Sequence, residues 1–416
     1  MERAISFIGL FVMMFIAWGF STNRKKMDFR IIGGGLALQF ALALLILKTS
    51  PGEAAFEWAK NFVNTIISLS DEGAQFVFGP NFTDHFFAFK VLPTIIFVSS
   101  LSYLLFYFGV LQKLVELLAS IMNRVMGVSG SESLCTAANV FIGQTEAPLF
   151  IQPYLRTMTL SEINCMMTGG MATVAGGVLA AYVGMGISAG HLLAASIMSA
   201  PAAILIAKIM LPETEESPTM GTVKVSLEIK DVNAFEAACR GASEGLKLAL
   251  NVAAMLIAFI ALIALVNKGL QAVVDLARML FDFLDRGPII PPDFSLSLQM
   301  ILGWVFQPIA FVMGIPWSEA GKVGSLLGQK MIINEFVAYL SLAEMVKNGE
   351  LSERSVTIAT YALCGFANFS SIAIQIGGIG ALEPDRKSDF AKVGLKAMIG
   401  GTLAAFMTAC IAGVLV

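Results

Sequence analysis

Three short polar motifs interrupt an otherwise apolar chain, and they hold the side chains best able to bind a ligand. They are residues 143–148 (GQTEAP), 334–335 (NE) and 368–371 (NFSS). A charged side chain at membrane depth costs about 2.5–3.5 kcal/mol, so it needs a partner and by default marks a ligand or ion site. Together the three motifs predict one polar binding site inside a membrane transporter.

The chemistry of these groups favours a neutral ligand that carries hydroxyl groups and a flat polar ring. An ionised Glu335 accepts from two hydroxyl donors at once, and side-chain amides both donate and accept. Residues 131–155 and 355–382 contain no Arg or Lys, which a phosphate or carboxylate ligand would require. A nucleoside satisfies this description. The remaining polar groups of the motifs are Gln144, Thr145, Asn334, Asn368 and Ser371.

Composition excludes several other classes of protein. Of the 416 residues, 56% are hydrophobic and only 14% are charged, against about 25% charged in soluble domains. The net charge of −3 gives no indication of nucleic-acid binding. The five cysteines have no metal-ligand spacing, and the two histidines stand apart. An intramembrane enzyme would need a nucleophile with a paired base or a metal set, and a passive channel would need a continuous polar lining.

The apolar pattern predicts an all-α polytopic membrane protein with eight transmembrane helices and two re-entrant helical hairpins. A spanning helix needs about 20 apolar residues. The hairpins are residues 131–156 and 296–342, where Pro and polar residues interrupt the pattern, because broken backbone at membrane depth must be covered by protein or line a cavity. The eight spans are residues 5–20, 31–47, 91–110, 163–187, 192–211, 244–266, 355–382 and 393–416. The span 355–382 is interrupted at residues 366–371.

Segments between the spans set the predicted orientation. The basic residues 23–26 follow the first span, so they should lie in the cytoplasm and the N-terminus outside. Residues 111–126 are amphipathic and are expected along the inner surface. Residues 51–88 and 267–295 are expected outside, and residues 212–243 form a cytoplasmic loop.

An internal symmetry carries more information than any single span. A broken hairpin, a Gly-rich span and a plain span occur in this order at residues 131–211 and again at 296–416. One extra span, residues 244–266, separates the copies and inverts the second one. Inverted repeats with broken helices are typical of secondary transporters, whose site lies near mid-membrane at the repeat interface.

At these motifs the sequence resembles the concentrative nucleoside transporters of the bacterial, eight-helix type. The resemblance rests on residues 137–148 (AANVFIGQTEAP), 334–339 (NEFVAY) and 364–371 (CGFANFSS), in this order along essentially the whole chain. It implies a homotrimer in the bacterial plasma (inner) membrane, with both termini outside. It also implies an elevator-type mechanism, in which a scaffold holds the trimer and a transport domain carries both hairpins.

The domains expected from the resemblance follow the repeats. Residues 1–110 would form scaffold helices with an outer interfacial helix. Residues 111–211 would form the first inverted repeat of the transport domain. Residues 212–295 would contribute a cytoplasmic loop, one scaffold helix and an outer interfacial segment, and residues 296–416 the second repeat.

The resemblance also implies roles for individual residues. The nucleobase would be bound by Gln144, Thr145, Glu146, Val178 and Leu256. The ribose would be bound by Glu335, Asn368, Ser371 and Phe366. Sodium, the coupling ion, would be bound by the side chains of Asn139 and Thr173 and the backbone carbonyls of Ile142 and Val174, and no cofactor is expected.

The choice of coupling ion depends mainly on Asn139. Proton-coupled members resemble this chain but lack an asparagine at that position, so the resemblance favours sodium. Thr173 replaces a serine seen in some members and keeps the hydroxyl group. A proton-coupled carrier, with Glu146 or Glu335 taking the proton, is the alternative.

Overall fold

The computed structural model describes residues 1–85, 87–221, 231–284, 290–291 and 294–416, and these parts are helical without any strand. Seven helices within them are long and apolar enough to cross a membrane, or eight if one bent pair counts as a span. The predicted all-α membrane architecture is therefore confirmed. The predicted interrupted span 355–382 is two half-helices, Glu353–Leu363 and Phe369–Leu382, which separate at residues 364–368.

In the described parts of the chain, five α-helices lie outside the two repeats, together with a 3-10 helix (Phe82–His85) and a π-helix (Phe87–Val91). Local sequence explains two of their starts, because Asp28 caps the second helix through the Arg30 N–H at 2.8 Å and Thr49 caps the third through the Gly52 N–H at 3.1 Å. The amphipathic third helix corresponds to the helix expected in residues 51–88. The five are α1 (Glu2–Gly19), α2 (Phe29–Lys48), α3 (Ser50–Phe78), α4 (Leu92–Tyr107) and α10 (Ala234–Phe283).

Helix α10 corrects one prediction. Its 50 residues make it about 75 Å long, whereas the sequence suggested a span at 244–266 followed by an outer segment. The helix continues because Asp275 and Arg278 are one turn apart and pair at 3.1 Å, so their charges fit one helical face. The end of that predicted segment, residues 285–289 and 292–293, lies outside the described residues, as do residues 222–230 of the predicted cytoplasmic loop.

Two sets of helices repeat the same order: an amphipathic or flanking helix, two hairpin arms, a broken helix and a long helix. Helix α5 packs on α2 and on the first hairpin, and α11 packs on α1 and on the second. The first set is α5 (Val110–Met126), α6 (Gly130–Asn139), a 3-10 helix (Ala147–Tyr154), α7 (Leu160–Ala172), α8 (Gly176–Gly184) and α9 (Ala189–Met210). The second is α11 (Leu298–Val312), α12 (Trp317–Ile332), α13 (Glu335–Lys347), α14 (Glu353–Leu363), α15 (Phe369–Leu382) and α16 (Lys387–Leu415).

The second hairpin begins later than the sequence indicated. Residues 296–342 were expected to form it, but α11 is a separate helix bent by 117° from α12. The hairpin consists of α12 and α13, which separate at Ile333 and Asn334. The predicted continuous span 163–187 is also broken, because Thr173 is extended (φ −119°, ψ 169°) and ends α7.

A buried polar cluster ties the base of the first hairpin to the neighbouring helices. Capping boxes start both α6, through Ser129 and Glu132, and α7, through Thr159 and Glu162. Lys208 of α9 forms an ion pair with Glu132, and both side chains are under a tenth exposed. These bonds fix the angle at which the hairpin enters the helical bundle.

Candidate functional site

Four breaks in the helices define the candidate site. They are residues 140–146, 173–175, 333–334 and 364–368, two from each repeat. The two broken helices touch at their breaks, where the Phe366 N–H donates to the Thr173 carbonyl at 3.3 Å. Gly365 permits this approach, since its φ is +130° and an added Cβ would lie 2.8 Å from the Met171 carbonyl oxygen. The breaks leave helix ends with free N–H and C=O groups facing the site.

The carboxylate of Glu335 is fixed by two donors from the first and second repeats. Its Oε1 accepts from the Tyr182 hydroxyl and its Oε2 from Asn368 Nδ2, both at 3.0 Å. Glu335 is 5% exposed and is the first residue of α13, where the helix dipole stabilises negative charge. A carboxylate has further acceptor positions beyond these two bonds, which suits hydroxyl donors of a ligand.

Asparagine caps position the two helices that begin at the site. Asn334 Oδ1 accepts from the Val337 N–H at 3.0 Å and starts α13. Asn368 Oδ1 accepts from the Ser371 N–H at 2.9 Å and starts α15. Asn368 therefore acts twice, capping its own helix with its oxygen and holding Glu335 with its nitrogen.

The tip of the first hairpin lies on one face of α15. Gln144 Nε2 donates to Ser371 Oγ at 3.2 Å, and Gln144 Oε1 accepts from Gln375 Nε2 at 3.0 Å. Thr145 covers Gly378, where an added Cβ would lie 2.6 Å from the threonine methyl carbon. Positions 371, 375 and 378 share one helical face. Gln144 and Thr145, which are expected to bind the nucleobase, therefore lie close to Ser371, which is expected to bind the ribose.

The other expected base-binding residues have fewer polar contacts. The carboxylate of Glu146 folds over Gly143, and its Oε2 is buried without a hydrogen-bond partner among the described residues. Val178 and Leu256 are 3% and 6% exposed and lie in the main hydrophobic cluster. Phe366 is partly buried against the same cluster.

The residues expected to bind sodium lie where α6 and α7 end. Asn139 is the last residue of α6, and its Oδ1 is buried with no partner among the described residues. Thr173 donates its hydroxyl to the Gly169 carbonyl at 2.9 Å, which leaves the oxygen's lone pairs available. Val174 is 1% exposed, and Ile142 is partly buried. Neutral oxygen groups at the negative ends of two helices suit a small cation.

The residues expected to bind the cation and those expected to bind the nucleobase are adjacent. A Cβ added at Gly170 would lie 2.6 Å from Gln375 Nε2, 3.0 Å from Gln144 Cβ and 3.4 Å from Asn139 Oδ1. The three side chains therefore all pack against Gly170 of α7. Through this contact, an ion bound at Asn139 would directly affect the orientation of Gln144.

Three buried residues at the site were missed by the sequence reasoning. Tyr182 sits in an apolar run with no polar neighbour, so nothing in the sequence singles it out. Gln375 could have been found, because it follows Ser371 by one helical turn in an apolar segment. Lys330 is fully buried and donates to the Ala362 carbonyl at 2.9 Å. It could have been found from the sequence because it precedes Glu335 by only five residues.

An inverted pair of helical repeats, each broken beside buried polar groups, defines a secondary membrane transporter. The chain belongs to the sodium-dependent nucleoside transporter family. Residues 8–81 match the family's "Na+ dependent nucleoside transporter N-terminus", residues 191–413 its "C-terminus", and residues 88–189 a "Nucleoside recognition" gate region. The predicted resemblance is thereby confirmed.

Relatives support this assignment over the full chain. An "Uncharacterized transporter" of Haemophilus influenzae is 44% identical, with 99% of this chain and 97% of that protein covered. "Solute carrier family 28 member 3" of Eptatretus stoutii is 44% identical and "Sodium/nucleoside cotransporter 1" of Rattus norvegicus 40%. All of this chain is covered in both, but only 61% and 64% of those longer proteins.

Solved structures of the transporter CNTnw have the same fold. Its inward-facing substrate-bound state is 40% identical, with a TM-score of 0.90, and 99% of this chain and 98% of that one covered. A substituted form of CNTnw in an outward-facing state also has a TM-score of 0.90, with 100% and 98% covered. One fold thus accommodates alternate states in that similar protein.

Proposed function

We propose that this protein is a sodium-coupled symporter that moves nucleosides into the cell. The observation that carries the proposal is the contact at Gly170, where Asn139, Gln144 and Gln375 meet. It puts an unpaired amide oxygen suited to a cation beside the amides suited to a nucleobase. Relatives named as sodium/nucleoside cotransporters support the same conclusion.

The nucleoside would bind between the two hairpins. Its ribose hydroxyls would donate to Glu335, whose carboxylate is already oriented by Tyr182 and Asn368. Its base would replace the bond that Gln144 makes to Ser371, freeing the Gln144 amide for the base and the hydroxyl for the ribose. Thr145, Glu146, Val178, Leu256 and Phe366 would complete the walls of the site.

Sodium binding would precede nucleoside binding. An ion held by Asn139, Thr173 and the carbonyls of Ile142 and Val174 would stabilise the first hairpin's tip with Gln144 against α15. Coupling requires that sodium bind this arrangement better than the alternative one, because an ion without differential affinity shifts no equilibrium.

Transport would follow an elevator mechanism in a homotrimer. Residues 111–211 and 296–416 would move as the transport domain, while residues 1–110 and the α10 region within 212–295 would form the scaffold. The two solved states of CNTnw support this view by analogy. Both termini would face outward from the bacterial plasma membrane, consistent with basic residues after α1.

The test is uptake of labelled uridine into proteoliposomes, with an inward sodium gradient or with choline replacing sodium. Wild type should accumulate uridine only with sodium, and Glu335→Ala should abolish uptake. Glu344→Ala is the matched control, since Glu344 lies on the same helix but is exposed, and it should transport normally. Failure of folded wild type to take up any nucleoside would refute the proposal.

A pH gradient distinguishes the proton-coupled alternative. The unpaired Oε2 of Glu146 is the observation that keeps this alternative open. Uptake that follows the proton gradient and ignores sodium, and that is lost in Glu146→Gln, would assign the coupling to Glu146. Uptake that needs sodium at every pH would assign it to the Asn139 site.

A further inference from the structure

Lys330 is a buried cation for which neither the motifs nor the proposed transport cycle gives a role. Its side chain is fully buried in the last turn of α12. Among the described residues its ammonium forms no ion pair, although Glu335, five residues further along, is close enough for the two charges to attract. Its hydrogen bond goes to the Ala362 carbonyl, at 2.9 Å, in the last turn of α14. A buried charge held by a main-chain carbonyl calls for an explanation beyond an ordinary salt bridge.

The inverted repeat supplies that explanation. In the first repeat, the hairpin arm α6 ends at Asn139 and the half-helix α7 ends before Thr173. In the second repeat, the corresponding arm α12 carries Lys330 in its last turn, and α14 ends before Cys364. Each repeat therefore brings together two helix C-termini, whose free carbonyls and dipoles favour a positive charge.

The two repeats differ in what they offer to that charge. The first offers an unpaired amide oxygen and a threonine hydroxyl, which suit a mobile sodium ion. The second has a thiol at the position of that hydroxyl, and sulfur is a poor ligand for hard cations. Cys364 is fully buried and lies two residues after Ala362, whose carbonyl accepts the hydrogen bond from Lys330.

We propose that Lys330 is a resident cation, which takes in the second repeat the place that sodium takes in the first. The inference rests on the sodium site of the proposed function. The ammonium satisfies the carbonyl end of α14 and holds the arm of the second hairpin against it, so that Glu335 and Asn368 face the ligand. Lys330 is thus a positioning residue that does not touch the nucleoside. The second repeat needs no ion from solution.

Two variants test the resident cation. Lys330→Met removes the charge without adding an oxygen, and sodium-driven uridine uptake should fall by about tenfold or more because the carbonyl end is left unsatisfied. The double variant Lys330→Asn with Cys364→Thr gives the second repeat an amide in the last turn of α12 and a hydroxyl just after α14, the two side-chain types that the first repeat offers. It should carry one more sodium per uridine than wild type, measured as the ratio of labelled sodium to labelled uridine fluxes.

The matched control is Lys322→Met on the same helix. Lys322 is 45% exposed and pairs with Glu350 at 3.0 Å, so its loss should leave the uptake rate and the flux ratio unchanged. Wild-type uptake by folded Lys330→Met would overturn the proposal. A double variant that transports with the wild-type flux ratio would also overturn it.

The melting temperature tests the resident cation even in a variant that does not transport uridine. The melting temperature of the double variant should rise more steeply with sodium than that of wild type, and equal slopes would overturn the proposal. If the double variant does not fold in choline buffer, purification in sodium buffer should yield folded protein. A double variant that is unfolded in both buffers would count against the resident cation. Lack of sodium-driven uptake by wild type would instead refute the proposed function. The melting comparison does not depend on transport, so the two proposals can fail separately.

Discussion

The substitution Gly170→Ala tests the contact that links ion and nucleoside. Its new methyl would lie 2.6 Å from Gln375 Nε2, 3.0 Å from Gln144 Cβ and 3.4 Å from Asn139 Oδ1. The Gln375 amide is the flexible end among these groups, so it should move first. Moving it weakens its bonds to Gln144 at 3.0 Å and to the Met167 carbonyl at 3.1 Å.

The size of the effect follows from two opposing terms. Inserting one methyl group into a well-packed site costs about 1–3 kcal/mol, while alanine in place of glycine inside a helix returns about 1 kcal/mol. The difference is a net cost of about 0–2 kcal/mol, and its upper end corresponds to about a 30-fold weaker interaction. Because Asn139 and Gln144 both face the methyl, the half-saturation constants for sodium and for uridine should both rise.

The assay is sodium-driven uridine uptake in proteoliposomes, with each solute varied in turn. Gly377→Ala is the control, because it lies two residues from Gln375 and nothing is within 4 Å of its added Cβ. It should transport like wild type, with a stability gain of about 0.5–1 kcal/mol from helix propensity. Wild-type constants for both solutes in folded Gly170→Ala would refute the reasoning. A rise for only one solute would refute the direct link between the two sites.

Three further substitutions test single contacts. Asn139→Ala removes the unpaired buried oxygen, so the sodium half-saturation constant of uridine uptake should rise at least about tenfold; a normal sodium response would contradict the ion site. Tyr182→Phe keeps the ring but removes one hydrogen-bond donor to Glu335, and a hydrogen bond to a charged group contributes about 1.5–3 kcal/mol. The variant should therefore lower both the melting temperature and the affinity for uridine. Wild-type values for both would show that the bond is dispensable. Lys208→Met leaves Glu132 buried and unpaired, so stability should fall by about 3–5 kcal/mol in thermal unfolding of the detergent-solubilised protein, and an unchanged melting temperature would mean that this ion pair contributes nothing.

Much of the fold was predictable because it depends on local composition. The apolar runs around α1, α2 and α9 predicted spans within a few residues of the observed ends. The length of α10 was not predictable from hydropathy alone, because its last part is polar yet keeps helical spacing through pairs such as Asp275 with Arg278. The division between α11 and α12 was missed because both helices carry glycine and polar residues, with Pro308 inside α11 and Pro316 just before α12.

The candidate site was predictable where polar residues stand in apolar surroundings. Glu335, Asn368 and Gln144 stand out for this reason, and the structure brings each into a hydrogen-bonded group. Tyr182 was missed because a tyrosine in an apolar run has the composition of an ordinary core residue. Its bond to Glu335 joins residues 153 positions apart, and no local pattern reports such a contact.

The crossing of the two broken helices has a consequence for altering this protein's specificity. The bond from Phe366 to Thr173 is made by main-chain atoms, so exchanging either side chain preserves it. New ligand preferences can therefore be introduced around Phe366 while this bond is kept, with Thr173 retained because it is a proposed sodium ligand. Two changes are excluded: proline at position 366, which removes the N–H donor, and any side chain at Gly365, which would collide with the end of α7.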